Sequence, residues 1–362
     1  MPLTLYVDRV AWRAHHQRML ADRPGLVPVV KGNGYGFTLP VLAGAAAELG
    51  PMAGVDQIAV GTAREALSLL DHYPHDMMLL EPFLPGEDRV ELPRPVVRSA
   101  ASLAAVHRLA GQRMVIDCRS SMRRQGVSRA ELSEVRRALG GHRPEGFSVH
   151  LPINRPFGAD PVYEIAEWVR ALDEAGFEVP VMYVTHLGRV ELEVLSALHP
   201  YTRFRLRTGT DMWLGARDAI QGRATVLDAI EVGRGERVGY HQGRLRHGGW
   251  VVVVSGGAVQ GIGLEAPKAL RGVLPRAREL ARFGLRAMNR TLSPFSWQGR
   301  RLWFAEPPHM SVSMIHIPGH ADPPWPGAEL VAQVRYTATH FDRVELVDSD
   351  RDALFSTDEQ CA

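Results

Sequence analysis

The chain has 362 residues, 45% of them hydrophobic and 23% charged, a globular balance with length for one large domain and a smaller one. Forty-two Lys and Arg against 40 Asp and Glu leave a formal charge of +2, which excludes a global field suited to nucleic acid. Only Cys118 and Cys361 are present, so no disulfide framework exists, and a reducing cytoplasm is the expected compartment. The charged start MPLTLYVDRVAWRAHH holds no apolar export core, and no run approaches the roughly 18 apolar residues of a membrane span.

Short apolar runs alternate with helical patterns up to about residue 215, the signature of parallel strands joined by crossover helices. After a first strand at Leu3–Val7, the runs predict strands at Leu26–Val30, Gln57–Val60, Met77–Leu80, Arg94–Val97, Arg113–Asp117, Gly146–His150, Val179–Val184 and Arg203–Arg207. Helical spacing falls between them at Pro40–Leu49, Ala63–Leu70, Ala101–Leu109, Arg129–Leu139 and Pro161–Ala175. Without the first strand the count is eight, which predicts an α/β fold with an N-terminal (β/α)8 TIM-like barrel. The surplus strand 3–7 is expected to pack elsewhere, against the C-terminal part.

Beyond Gly215 the runs Ala224–Val232, Trp250–Val254, Arg301–Phe304, Ser311–Ile317 and Glu329–Val334 have no crossover helices between them. The expected organisation is a barrel over 1–220, a mostly β domain over 221–347 and a flexible acidic tail over 348–362. A basic helical insertion at 266–290, carrying Lys268 and six arginines, interrupts the β domain.

Reactive groups of a (β/α)8 barrel sit at the C-terminal ends of its strands. Lys31 closes the run VPVVK, Arg124 follows the fifth barrel strand, His150 closes the sixth, Thr185 and His186 follow the seventh, and Arg207 closes the eighth. Desolvation at a strand end disfavours the ammonium and leaves a nucleophilic amine, although a lysine there is more often solvated or ion-paired. Each of these residues taken alone also reads as ordinary core or surface; their joint order carries the argument.

The run VVKGNGYGF resembles the lysine motif of alanine racemases, VVKANAYGHG, on an early barrel strand. Four further runs match that family in order: SSMRRQGV, FSVHL, RLRTGTDM and ERVGYHQG. The resemblance implies an alanine racemase-like fold of type III with pyridoxal 5′-phosphate (PLP) as cofactor and Lys31 as its Schiff-base residue. It further implies Tyr240 as the opposite base, His150 beside it, Arg124 on the substrate carboxylate, and Arg207 against the pyridine nitrogen. Tyr35, Thr185, Gly209, Thr210 and His340 become cofactor-binding positions and Met310 a substrate-binding one, with no metal. Two bases on opposite faces of Cα are the minimal machine for inversion. The family shares its sites across a head-to-tail homodimer, so the same assembly is expected here, with a small amino acid as substrate and no nucleic acid or membrane partner.

The β domain departs from the family. Ala258 stands for an entrance tyrosine, Ser311 for an aspartate and His340 for a phosphate-contacting tyrosine, while Asp117 replaces an often carbamylated lysine. These changes, with the basic insertion, point to a substrate other than alanine, acidic or larger. An amino-acid racemase or epimerase is the leading reading. A PLP-dependent decarboxylase, a PLP carrier and a racemase-like regulatory protein without turnover remain as alternatives.

Overall fold

The computed structural model describes residues 2–50, 54–86, 90–264, 291–319 and 322–348. The basic segment 266–290 and, apart from Asp348, the tail 348–362 lie outside them. The chain divides into two compact units, one of residues 14–34 and 38–215, the other of 1–13, 35–37 and 216–362. A single break at residue 220 is therefore not what is found: strand β1 (Leu3–Asp8) and the turn 35–37 group with the C-terminal part.

The first unit is a closed parallel barrel of eight strands: β2 (Val27–Val30), β3 (Gln57–Val60), β4 (Asp76–Pro82), β5 (Val97–Ala100), β6 (Met114–Cys118), β7 (Gly146–Val149), β8 (Val181–Val184) and β9 (Arg203–Thr208). Pairing of Val27 with Arg207 closes the ring. The strand expected at Arg94–Val97 begins only at Val97, because the Pro-flanked stretch before it does not enter the ladder and Arg98 to Ala100 pair with Met114 to Ile116. The connecting helices bury one face each. Helix α5 (Leu132–Leu139) buries Leu132, Val135 and Leu139 and stops at left-handed Gly140. Helix α6 (Pro161–Glu174) starts where Asp160 accepts from the Val162 amide, has proline at its first position, and buries Ile165, Trp168, Val169 and Leu172.

Strand alternation sorts the barrel into an outer core shared with the helices and an inner stack of Val27, Val29, Ala59, Met78, Val97, Val115 and Tyr183. The polar floor of that stack is satisfied: Tyr183 donates to Gln57 at 3.0 Å, and Arg205 pairs with Asp56 and donates to the Gly25 carbonyl at 3.0 Å. Because the side-chain period is two, Lys31 continues the inward face of Val27 and Val29. Asp117 likewise follows Val115, and Arg207 follows Arg205.

The second unit is an eight-stranded sheet built on β10 (Ile220–Val232), with β11 (Arg237–Val238) and β12 (Gly243–Arg244) forming a separate small hairpin ladder. The remaining strands are β13 (Gly249–Ser255), β14 (Leu292–Trp297), β15 (Arg300–Phe304), β16 (Val312–Pro318), β17 (Glu329–Ala332) and β18 (Arg343–Val347), in the order β13-β16-β15-β14-β17-β10-β1-β18. A register shift at Val226/Asp228 lets β10 leave β1 and β17 and pair onward with β13. Strand β1 sits antiparallel to β10 and parallel to β18, which accounts for the surplus strand. Strands β14 and β18 lack a long apolar run and emerge only from the pairing. Among the described residues, no helix is long and apolar enough to cross a membrane.

Candidate active site

The barrel mouth collects polar side chains from several strand ends. The Lys31 turn is held by local chemistry: Gly34 donates its amide to the Lys31 carbonyl at 3.1 Å, and Gly32 donates to Glu65 at 2.8 Å. Glu65 is itself fixed by a capping box with Thr62 at the start of α3 (Ala63–Ser68), each bond 3.1 Å long. A Cβ at Gly61 would push the Glu65 carboxylate aside and press on the Lys31 Cβ. The Lys31 side chain remains reachable by solvent, yet burial of its amine and then Arg124 and Arg207 lower its affinity for the proton, with Glu65 opposing.

Arg207 is buried at 8% exposure, and its Nε meets no hydrogen-bond acceptor among the described residues. Burial weakens its hold on its proton and Asp117 counters. A guanidinium keeps its charge regardless, so a buried donor is left aimed without a partner. Asp117, also inward, accepts from Ser99 Oγ and from Gln125 Nε2 at 3.2 Å. Ser148 Oγ, buried on the inner face of β7, is a second orphan among the described residues.

His150 follows at the end of β7, with its ring 5.6 Å from that of His186 and its carbonyl accepting from Ser120 Oγ at 2.5 Å. Burial, then Arg207, His186, Arg124 and Lys31, push its imidazole down to about 4, so it is neutral at pH 7. Buried Thr185 accepts from the Leu151 amide at 2.9 Å. Arg124 is exposed in the loop after β6, close enough for its charge to act on Lys31 and His150. Gly209 and Thr210 open α8 (Thr210–Leu214) directly after β9.

The other expected residues belong to the sheet unit. Tyr35 is buried with a left-handed φ of 54°, and burial raises its phenol to about 12. His340 is exposed and donates its amide to the Gln260 carbonyl at 3.0 Å. Tyr240 and Met310, 82% and 73% exposed, share a cleft of about 410 Å³ between Tyr240–His241 and the segment 307–312. The imidazole that meets Tyr240 within its own unit is His309, with ring centroids 4.4 Å apart, whereas His150 belongs to the barrel unit. Sequence reading passed over Glu65, Ser99, Gln125, Glu306 and His309. Only Glu65 had a local signal, the Thr-x-x-Glu spacing of a capping box.

Residues 7–184 match the sequence profile described as alanine racemase, N-terminal domain. No curated protein matches the chain. Among solved structures, alanine racemase from Bartonella henselae with covalently bound pyridoxal phosphate is 14% identical with a TM-score of 0.69, covering 96% of this chain and 100% of that one. Alanine racemase from Bacillus anthracis with bound L-Ala-P is 18% identical with a TM-score of 0.65, covering 94% and 90%. Histidine racemase from Leuconostoc mesenteroides is 16% identical with a TM-score of 0.63, covering 96% and 97%. The barrel with its appended sheet is thus the type III fold of these enzymes. Residues 7–184 thus carry the alanine racemase N-terminal domain.

Proposed function

We propose that the chain is a PLP-dependent amino-acid racemase working with two bases, Lys31 and Tyr240. The observation that carries the reading is the pairing, at one end of one closed barrel, of a strand-end lysine of weakened basicity with a buried guanidinium whose Nε lacks an acceptor among the described residues. Those groups fit the cofactor: an amine whose hold on its proton is weakened suits covalent attachment to an aldehyde, and a buried donor with no acceptor among the described residues suits a ring nitrogen that accepts. Lys31 would hold PLP covalently, Arg207 would face its ring nitrogen, and Tyr35, Thr185, Gly209, Thr210 and His340 are the proposed remaining contacts. When bound, PLP supplies an electron sink that lowers the cost of removing the substrate Cα proton.

The protein's own part is positioning and proton movement. Lys31 Nζ and the Tyr240 Oη of a second copy take and return the Cα proton on opposite faces, which inverts the centre. Arg207 donates without giving up its proton, so it would leave an acceptor nitrogen held there unprotonated. Neutral His150 adds no charge to a mouth that already holds Arg124 and Arg207, and Arg124 offers a planar fork to the substrate carboxylate. Met310 lies in the cleft beside Tyr240, where His241, His309 and Ser311 supply polar groups. Those polar groups favour a substrate side chain able to form hydrogen bonds. Cys118 is buried and its thiol is pushed up by burial and by Asp117, which disfavours the reactive-cysteine chemistry of a decarboxylase.

The test is to incubate the PLP-loaded protein with single L-amino acids in D₂O, following Cα deuterium, enantiomer and CO₂. Exchange with inversion is expected, whereas CO₂ release or an inert Cα with every amino acid would defeat the reading. We further propose a head-to-tail homodimer, supported by apolar Ile153 and Phe157 standing exposed after β7. Native mass measurement showing that the active species is a monomer would remove it.

A further inference from the structure

The two-base reaction makes no use of Glu306 or His309, yet both are tied to Tyr240. Glu306 is 7% exposed and accepts three hydrogen bonds, from His309 Nε2, from the Tyr240 amide at 3.0 Å and from the His241 amide at 3.2 Å. Burial opposes its ionisation, but the His309 bond and the two amides outweigh it and hold the carboxyl below the usual carboxylate range. Gly239, at φ 69°, makes room for this arrangement: a Cβ there would overlap the Glu306 carboxylate. An ionised carboxylate can only accept, so His309 Nε2 is the donor and the plane of the ring is set by that bond. The ring then lies against the Tyr240 ring, with centroids 4.4 Å apart and planes at 41°.

Tyr240 is therefore gripped twice, at its backbone amide and along its ring, although its side chain stands open to solvent. An exposed tyrosine without such supports samples several rotamers, and ordering it costs conformational entropy at each turnover. We propose that Glu306 and His309 are positioning residues for Tyr240: the carboxylate orients the imidazole, and the two together hold the phenol in the single direction from which it exchanges a proton with substrate. This rests on the reading of Tyr240 as a base, and the test separates the two claims.

The variants Glu306→Gln, His309→Phe and His309→Gln are compared with Tyr240→Phe in the full-length, PLP-loaded enzyme. The substrate is the proteinogenic amino acid exchanged fastest in D₂O, in its protiated and Cα-deuterated forms. Three quantities are read: kcat and KM separately, the Cα isotope effect from each enantiomer, and the ¹⁹F line of 3-fluorotyrosine at position 240, which needs no turnover. His309→Phe and Glu306→Gln are expected to lower kcat about 10- to 100-fold with KM nearly constant, as for a base displaced by a fraction of an ångström. The isotope effect should rise from one enantiomer only, and the fluorine line should shift or broaden. His309→Gln, which still offers Glu306 an N–H, should recover most of the loss. If Glu306→Gln fails to fold, His309→Phe and His309→Gln carry the test on a partly exposed side chain. Unchanged kcat, isotope effects and fluorine line, or equal changes from both enantiomers, overturn the positioning role even when Tyr240→Phe is inactive. Inversion surviving in Tyr240→Phe, or Cα exchange kept from both enantiomers, overturns instead the assignment of Tyr240 as a base, since Lys31 alone exchanges one enantiomer without inverting it.

Discussion

The barrel mouth and the Tyr240 cleft carry the two proposed bases in opposite ways. At the mouth, Lys31 is tuned by charge and burial: Arg124, Arg207 and Glu65 act on it through space, from the loop after β6, from β9 and from α3. In the cleft, Tyr240 is exposed and is held by one short stretch, Glu306 to His309, folded back on the Gly239 turn. A closed parallel barrel can surround a side chain and shift its protonation, because neighbouring strand ends converge on it. A sheet edge and its loops cannot enclose a group, so they control it by direction. Two residues proposed as proton carriers are thus prepared differently, one by electrostatics in the barrel unit and the other by geometry in the sheet unit.

Four substitutions or conditions would break or sharpen that contrast. Lys31→Ala should remove reaction altogether, a loss of at least about 10⁴-fold, together with the mass gain that borohydride reduction gives the PLP-loaded parent. A reduced adduct that persists in this variant would show that another amine carries the cofactor. Tyr240→Phe should retain the adduct while interconversion of the enantiomers falls about 10²- to 10⁴-fold and exchange of one enantiomer persists, since the electrostatic half of the machinery is untouched.

The third concerns pH and His150. Its folded value lies near 4 against about 6.5 when unfolded, so the unfolded chain binds the proton first as pH falls. The associated stability is complete above about pH 6.5 and is lost between there and about pH 4, by up to about 3 kcal/mol, less whatever solvent screens. His150→Gln should flatten that segment of the unfolding curve measured by denaturant titration at several pH values. An unaltered slope would show that the imidazole is not desolvated. The smallest effect is expected from Thr62→Ala, which breaks the capping box of α3 at a cost of about 1 kcal/mol and loosens Glu65 over Gly32. Thermal melts should register it, and a simultaneous change in the rate of PLP attachment would link that cap to Lys31.

Much of the barrel could be read from the chain. Alternating apolar runs with helical spacing between them count to eight, and Pro161 after Asp160 marks the start of α6. Strand β5 was misplaced by three residues because the Arg94 to Val96 stretch is as apolar as its neighbour, and only the ladder with β6 chooses between registers. Strands β14 and β18 could not be seen, since mixed sequences such as LSPFSW and RVELV become strands by finding partners rather than by propensity. The candidate site divides similarly. Lys31, Arg124, His150 and Arg207 stand at strand ends or just beyond, where counting alone directs attention. Asp117 reads from the sequence as a lost contact, and its bonds from Ser99 and Gln125 and its charge interaction with Arg207 appear only once β5 and β6 pair and the barrel closes through β9.

The sequence by itself determined what depends on near neighbours: the period-two face that turns Lys31 inward with Val27 and Val29, the helical stripes, the caps, and the order of motifs shared with one family. The tertiary structure decided what depends on distant residues meeting. It left the Arg207 Nε without an acceptor among the described residues, drew β1 out of the barrel unit into the sheet, and set His309 as the ring against Tyr240 within the sheet unit. The physical reason is the same in each case. Periodicity and capping are written over a few residues, whereas the burial of a charge and the aim of an exposed ring are set by groups that the chain keeps apart until it folds.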